Sequence, residues 1–162
     1  EEPGFPFVKP QPLTPGQALQ ETRDYFNEWF ESAGKFKRAA DFLRSDGAPK
    51  ESVFNLHQAT ERLYHCLFLV RTLYSPKTHN LNQLRQLTED VEPRLKEVWP
   101  RATKFERRCY ELLREAYVKA RYSRHYRISD DELEWLSGRV ELLQRVVREL
   151  CEERIATLAE AA

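Results

Sequence analysis

Apolar residues recur at intervals of three and four along most of this chain, and this spacing constrains its fold more than any other feature. The clearest case follows Ser129, where the spacing is 3-4-3-4-3: Leu133, Leu136, Val140, Leu143, Val147 and Leu150. Because a helix turns by about 100° per residue, this spacing places all six on one face. No stretch shows the apolar–polar alternation of a half-buried strand. The pattern predicts an all-α protein whose last helix packs against another helix, either within the bundle or across a dimer axis.

Capping boxes mark where three of the four long helices begin. In each, a Thr or Ser is followed three residues later by Gln or Glu, as at Thr14, Thr103 and Ser129. We expect helices over about residues 15–44, 50–73, 81–89 and 104–122, and a fifth from residue 129 that frays over residues 157–162. The expected fold is an up-and-down bundle of about five helices, four of them long.

The first residues differ from the rest of the chain. Prolines at positions 3, 6, 10 and 12 exclude a helix there, so residues 1–13 are predicted to form an extended linker. Residues 14–162 are predicted to form one bundle domain. The chain begins at Glu1 and contains no Met. We therefore expect it to be part of a longer polypeptide, with the linker leading from another domain.

Charge is distributed unevenly along the chain, although its 26 basic and 26 acidic residues cancel. Residues 94–127 contain eleven Lys or Arg and four Asp or Glu, a net charge of +7, whereas residues 128–162 have a net charge of −5. A local basic segment on a neutral chain indicates an anion site. The alternative is that the basic helix simply pairs with its acidic neighbour.

Several classes of protein are excluded by composition. No apolar run reaches the roughly 18 residues of a membrane span, and no signal peptide is recognisable. The three cysteines, at positions 66, 109 and 151, lack a CxxC spacing and occupy apolar positions of predicted helices. They are therefore expected to be buried thiols in a reducing compartment. We expect a cytoplasmic protein without a membrane partner.

The helix predicted from Lys104 carries a second row of residues beside its apolar face. This row alternates guanidinium with phenol: Arg107, Tyr110, Arg114, Tyr117, Arg121 and Arg124. Guanidinium groups bind phosphate and phenol rings stack on bases, so the row predicts a surface that faces a cleft and binds a nucleotide or an RNA strand. Lys77 would contribute if its turn folds towards this helix.

The segment after this helix contains the best candidates for catalysis. His125 can act as a general acid or base, and Arg121 can stabilise charge on a phosphate. Together they would suffice for metal-independent RNA cleavage by the ribose 2′-hydroxyl. One histidine provides only one of the two proton transfers, so a second copy across a dimer axis would provide the other.

No metal or cofactor is predicted. The chain lacks a Gly-rich phosphate loop and a nucleophile elbow. His57, Glu61 and His65 lie at i, i+4 and i+8, where the outer two are too far apart to share one ion, so we expect them to be hydrogen-bonded at a helix–helix contact. His79 is expected to hold its turn through a bond to the backbone.

Three blocks of sequence resemble the HEPN domain (higher eukaryotes and prokaryotes nucleotide-binding). They are residues 54–62 (FNLHQATER), 76–81 (PKTHNL) and 116–122 (AYVKARY). The resemblance spans about residues 30–155 and is greatest to the bacterial form in which a minimal nucleotidyltransferase domain precedes the HEPN domain on the same chain. It implies a helical bundle, usually a homodimer, that binds nucleotides or RNA. Many members are toxin ribonucleases.

The ribonuclease motif of these toxins is Arg, four to six residues, then His, at the end of the matching helix. Arg121 corresponds to the Arg, but His125 follows after only three residues. The short gap would place His125 on the helix face above Arg121 or in a tight exit turn. In related toxin–antitoxin pairs, the nucleotidyltransferase adds nucleotides to a Tyr just beyond the His. Tyr126 lies one residue early for that role.

Three functions remain open on this basis, besides a structural bundle without a ligand. The first is nucleotide or RNA binding by a group of cationic and aromatic residues: Lys77, Arg114, Tyr117, Arg121, Tyr122 and Arg124. The second is a metal-independent, toxin-type endoribonuclease using Arg121 and His125. The third is a non-catalytic dimerisation scaffold that positions a nucleotidyltransferase, suggested by the apolar seam of the last helix and the broadly apolar second helix.

Overall fold

The computed structural model describes residues 12–162, and within them it contains helices but no strand. There are five α-helices and one 3₁₀ helix: α1 (Pro15–Ser45), α2 (Pro49–Thr72), α3 (Leu81–Val91), the 3₁₀ helix (Pro93–Val98), α4 (Lys104–Tyr122) and α5 (Asp130–Ala161). The predicted all-α bundle with four long helices is confirmed. Residues 1–11, most of the predicted linker, lie outside the described residues.

The predicted capping boxes are all formed. At Thr14, Thr103 and Ser129 the cap side chain accepts a hydrogen bond from the backbone amide three residues on, and the Gln or Glu there accepts one from the cap amide. Asn80 caps α3 with its side chain alone. Each such cap contributes about 1 kcal/mol, so local sequence is sufficient to place the starts of these four helices. Helix α2 has no side-chain cap and begins at Pro49, a residue favoured at the first helical position.

The helix ends agree less closely with expectation. The prediction that residues 157–162 fray is wrong, because α5 continues to Ala161. This segment contains three Ala, a Leu and a Glu, which are strong helix formers. By contrast, α4 ends at Tyr122 as predicted, where the extended backbone of Ser123 turns the chain out of the helix.

The central helix of the bundle is α2, which packs against α1, α3, α4 and α5. Apolar residues cover most of its circumference, and the majority of its side chains are buried. It forms a hairpin with α1 through a tight turn at Gly47, whose φ of 76° lies in the left-handed region that favours glycine. The broad apolar surface that suggested a scaffold is therefore covered by the chain's own helices.

The apolar seam of α5 also lies inside the bundle. All six of its residues are at most 3% exposed in the single chain: Leu133, Leu136, Val140, Leu143, Val147 and Leu150. Of the two partners expected for this seam, the bundle is the one observed. Neither feature that suggested a dimerisation scaffold is left on the surface.

A buried hydrogen bond ties the irregular crossing between α3 and α4 to the central helix. Trp99 Nε1 donates to the hydroxyl of Tyr64 over 2.8 Å, and burial raises the pKa of that hydroxyl. The Trp99 ring also contacts Tyr110 of α4 and Trp135 of α5, with centroids 5.2 and 6.4 Å apart. Trp99 thereby sets the position of α4, the helix that carries the predicted binding row.

Candidate functional site

The alternating Arg/Tyr row of α4 is divided between separate cavities and does not face one cleft. Arg107 and Tyr110 line a cavity of about 510 Å³ beside α3. Arg114 and Tyr117 line another, of about 220 Å³, on α4 itself. The two halves of the row therefore have different surroundings and are described in turn.

The first half of the row holds α4 against α3. Tyr110 donates its hydroxyl to Asn82 Oδ1 over 2.9 Å, and the Arg85 guanidinium lies 4.5 Å from the centre of its ring. Burial raises the pKa of Tyr110. Arg107 donates to the Arg101 carbonyl. The Tyr110 phenol is thus occupied by the chain and is not available to stack on a base.

Pairing with the acidic helix α5 accounts for few of the cations on α4. Within residues 12–162, Arg108 is the one α4 cation that reaches α5, where it donates to Glu132 over 2.8 Å. Arg114 pairs with Glu111 of its own helix, and this hydrogen bond raises the pKa of Arg114. Lys119 likewise pairs within α4. The alternative that the basic helix merely neutralises its acidic neighbour therefore explains a single residue of α4.

Arg121 lies among aromatic rings at the C-terminal end of α4. Its guanidinium carbon is 4.6 Å from the ring centre of Tyr117, 4.9 Å from that of Tyr122 and 5.0 Å from that of Phe54. Its Nε donates to the Tyr117 carbonyl. No carboxylate of the described residues lies within ion-pairing distance of it. We call Arg121, Phe54, Tyr117 and Tyr122 the Arg121 platform; Tyr117 is 40% exposed and Tyr122 73% exposed.

His57 of α2 lies beneath the platform. Its ring centroid is 5.7 Å from that of Tyr117, and the side chain is buried. Burial lowers the pKa of His57, against the opposing effect of the Glu61 carboxylate, and the nearby Arg121 charge adds to the lowering. The neutral imidazole is therefore favoured, so His57 supports the Tyr117 ring without adding charge beside Arg121.

Arg124 and His125 lie on the exposed turn that follows α4. The amide of His125 donates to Ser123 Oγ over 3.2 Å. Because α4 ends at Tyr122, the short Arg–His spacing places His125 in the exit turn and not on the helix face. Of the two placements expected from the sequence, this is the one observed.

Tyr126 is directed into the protein. Its hydroxyl donates to the Leu112 carbonyl over 2.6 Å, and burial raises its pKa. A phenol in this position is neither solvent-accessible nor easily ionised. The structure therefore argues against Tyr126 as a tyrosine that accepts a nucleotide.

A cavity of about 450 Å³, here called the turn cavity, lies between α1, α2 and the turn at residues 75–79. Lys77 and Tyr117 both line it, so the turn does approach α4 as the binding hypothesis required. Trp29 and Arg62 also line it, and sequence reasoning missed both. Trp29 fitted the apolar face of α1, and Arg62 is one charged residue on a mostly apolar helix, so neither carried a distinguishing signal.

Three histidines surround Glu61 at the edge of the turn cavity. His79 Nδ1 lies 2.5 Å from Glu61 Oε1, and ring nitrogens of His57 and His65 each lie 3.9 Å from a carboxylate oxygen. His79 thus holds the turn through the Glu61 side chain and not, as expected, through the backbone. His65 contacts Ser75 Oγ, and burial lowers the pKa of His65. Within residues 12–162, no group of three His, Cys, Asp or Glu is arranged to hold a metal ion.

The model of the HEPN domain family matches residues 26–150, a range that contains both the Arg121 platform and the turn cavity. The chain belongs to the HEPN domain family. Membership places it, at the level of the family, among nucleotide- or RNA-related domains. No curated protein matches the chain. Among residues 12–162, none of the helices has the length and apolar composition of a membrane span.

The predicted binding residues of this HEPN domain are partly brought together. Three of them meet in the platform: Tyr117, Arg121 and Tyr122. Lys77 joins this group through the turn cavity, which Tyr117 also lines. Arg114 is occupied by Glu111, and Arg124 lies on the exposed turn after α4. The site that the geometry favours is therefore the Arg121 platform, which includes only Tyr117 and Arg121 of the predicted row.

Proposed function

We propose that this HEPN domain binds a nucleotide or an RNA strand at the Arg121 platform. The observation that carries the proposal is the Arg121 guanidinium, which lies 4.6–5.0 Å from three ring centres and has no carboxylate partner among the described residues. The rings and the hydrogen bond from Nε to the Tyr117 carbonyl hold the planar group in place, while its Nη donors remain available for phosphate. Tyr122, exposed beside it, offers a ring on which a base can stack, an interaction worth about 1–3 kcal/mol.

The residues that follow the platform extend the same chemistry. Arg124 is exposed and makes no ion pair within residues 12–162. A strand lying across the platform would reach it after leaving Arg121. Two phosphate contacts to a single strand correspond to a slope of roughly −1.4 in log K against log salt concentration. Weak salt dependence is therefore expected, unlike that of a protein coated with charge for bulk nucleic-acid binding.

Anisotropy titration of a labelled single-stranded RNA at low salt tests this proposal. Arg121→Ala should weaken binding by at least about tenfold, or about 1.4 kcal/mol. The matched control is Arg139→Ala, which also removes a guanidinium lying over an aromatic ring, that of Trp135 at 5.5 Å, but on α5. Equal affinities for the parent, Arg121→Ala and Arg139→Ala would refute binding at the platform.

RNA cleavage by Arg121 and His125 is a second candidate, favoured by the exposed position of His125 in the exit turn. His125 would take the proton from the ribose 2′-hydroxyl as its oxygen bonds to phosphorus, and Arg121 would stabilise the charge on the phosphate. The bond from phosphorus to the 5′-oxygen breaks, and that oxygen takes up a proton from His125 of a second copy. The products are a 2′,3′-cyclic phosphate and a 5′-hydroxyl.

The cleavage reaction is tested by incubating RNA with the protein in the presence of a chelator. Fragments bearing cyclic phosphate ends should appear, and His125→Ala should abolish them while retaining RNA binding. Intact RNA after prolonged incubation with the folded protein, or fragments that persist with His125→Ala, would exclude this role.

We further propose that the domain is a cytoplasmic homodimer that works with a nucleotidyltransferase domain on a longer polypeptide, in the manner of a toxin–antitoxin pair. Its support is the family, the three free, buried cysteines, and an exposed apolar surface that consists of Tyr117 and Tyr122 of the platform and the adjacent Val118. A dimer through this surface that bound no RNA would favour the scaffold alternative.

Sedimentation at micromolar concentration should show a dimer that Val118→Asp dissociates. A monomeric parent would contradict the proposal.

A further inference from the structure

A serine, a histidine and a carboxylate lie in a row at the edge of the turn cavity. The Oγ of Ser75, on the turn, lies 2.5 Å from Nδ1 of His65, and Nε2 of His65 lies 3.9 Å from Oε1 of Glu61. His79 contacts the same Glu61 oxygen and fixes the carboxylate. All four residues line the cavity. The order of hydroxyl, imidazole and carboxylate is that of the triads in which a histidine activates a serine as a nucleophile.

The position of Glu61 decides which nitrogen of His65 carries the proton. A carboxylate attracts an N–H, so we assign the proton of the neutral ring to Nε2, which faces Glu61. Nδ1 then has a lone pair, and the Ser75 hydroxyl donates to it. A neutral histidine that accepts a hydrogen bond from a hydroxyl is the arrangement that a general base requires.

The surroundings of His65 favour its neutral form. Burial lowers the pKa of His65. The Glu61 carboxylate and the Thr78 backbone oppose this effect, whereas the charges of His79 and Arg62 add to it. Because the net effect is a lowered pKa, His65 is unprotonated at neutral pH and able to take a proton from Ser75.

The residue after the serine restricts the reaction to esters with a good leaving group. In the serine hydrolases built on a nucleophile elbow, the amide of the residue after the nucleophile stabilises the oxyanion. Here that residue is Pro76, which has no amide hydrogen. Lys77 is exposed, lines the cavity and offers an ammonium group for this task. One flexible ammonium stabilises an oxyanion less than fixed amide donors do, so the leaving group must be as good as a phenol.

The remaining lining suits an aromatic leaving group. Trp29 and Tyr117 present aromatic side chains to the cavity, whose volume of about 450 Å³ is typical of small-ligand sites. We propose that Ser75 is a nucleophile activated by His65, and that it takes the acyl group of small aryl esters bound in the turn cavity. This activity is separate from RNA binding or cleavage at the Arg121 platform and depends on neither.

The reaction has two steps. Oγ of Ser75 bonds to the ester carbonyl carbon as its proton passes to Nδ1 of His65. The bond from that carbon to the phenol oxygen breaks, and the phenol leaves with the proton. Water then gives a proton to Nδ1 as its oxygen bonds to the acyl carbon, the bond from that carbon to Oγ breaks, and Oγ takes up the proton. The products are a phenol and a carboxylic acid, and both side chains are restored.

Incubation of the whole chain with para-nitrophenyl acetate, followed by mass spectrometry of its peptides, tests the proposal. An acetyl group should be found on Ser75, and nitrophenol should be released faster than in buffer. Ser75→Ala and His65→Gln should each slow release by at least about tenfold, since a general base contributes about 100-fold or more. Ser137→Ala is the matched control and should match the parent, because Ser137 also lines a cavity but donates its hydroxyl to Asp41 in place of a histidine.

Two further measurements distinguish a nucleophile from a residue that only anchors the turn. Ser75→Cys keeps a nucleophile and should still be acetylated at that position, which tests the role even if Ser75→Ala loosens the turn. The rate of release should be half-maximal below about pH 6.5, the pKa of an unperturbed histidine, because the pKa of His65 is lowered. Absence of acetyl from Ser75 in the parent would overturn the proposal. So would parent-like release by Ser75→Ala or His65→Gln, or a midpoint above that pH.

Discussion

The hydrogen bond between Trp99 and Tyr64 gives a quantitative test of how the bundle interior is held. Tyr64→Phe removes the acceptor oxygen and keeps the ring. Trp99 Nε1 then loses its partner at 2.8 Å. Since Tyr64 and Trp99 are at most 1% exposed, solvent does not reach the indole to replace it.

The expected cost follows from this burial. Leaving a buried donor unsatisfied costs about 1–3 kcal/mol, and we expect Tyr64→Phe to lower the free energy of unfolding by about 2 kcal/mol. For a domain of this size each kcal/mol lowers Tm by about 2–4 °C, so the expected decrease in Tm is about 4–8 °C.

Urea unfolding followed by circular dichroism measures this difference. Tyr74→Phe is the matched control, because Tyr74 is 60% exposed and its hydroxyl forms no hydrogen bond with the described residues. It should change stability by less than about 0.5 kcal/mol. If Tyr64→Phe also lies within that margin, the Trp99–Tyr64 bond makes no net contribution and the argument from burial is refuted.

Three further perturbations test other parts of the structure. Burial lowers the pKa of His57, so the free energy of unfolding should be highest above about pH 6.5 and fall as the pH drops towards the folded-state pKa of His57. His57→Gln should reduce this pH dependence, as measured by urea unfolding. Leu143→Ala, within the buried seam of α5, should lower the free energy of unfolding by about 2–5 kcal/mol in the same assay. Leu142 is half-buried, and a smaller loss for Leu143→Ala than for Leu142→Ala would contradict the packing. Burial raises the pKa of the Cys109 thiol to about 11; mass spectrometry should therefore show much slower alkylation by iodoacetamide in the folded protein than in urea, and equal rates would show that this thiol is accessible.

The helices were predictable because the interactions that begin and end them are local. The capping box at Thr103 involves residues three positions apart, and the apolar face of α5 repeats within single turns. The last residues of α5 depart from expectation, because their helix propensity outweighs their proximity to the terminus. Membership of the HEPN domain family was likewise visible in three short blocks and agrees with the match over residues 26–150.

The candidate site was only partly predictable. The residue types of the α4 row were visible, but which of them remain available depends on neighbours from other segments. Tyr110 is occupied by Asn82 and Arg85 of α3, whereas Arg121 is left with aromatic partners and no carboxylate among the described residues. The wall of the turn cavity had no sequence signal, because Arg62 differs from an ordinary surface charge only in what surrounds it.

Interactions between residues within about four positions of one another specify the helices, their order and the basic, aromatic character of α4. Contacts between distant segments place the α5 seam inside the bundle, bury Tyr126 against Leu112, and bring Trp29, Arg62 and Lys77 to one cavity. The availability of a charge or a ring depends on desolvation and on partners distant in the chain. Those appear only when α1, α2 and the turn are packed together.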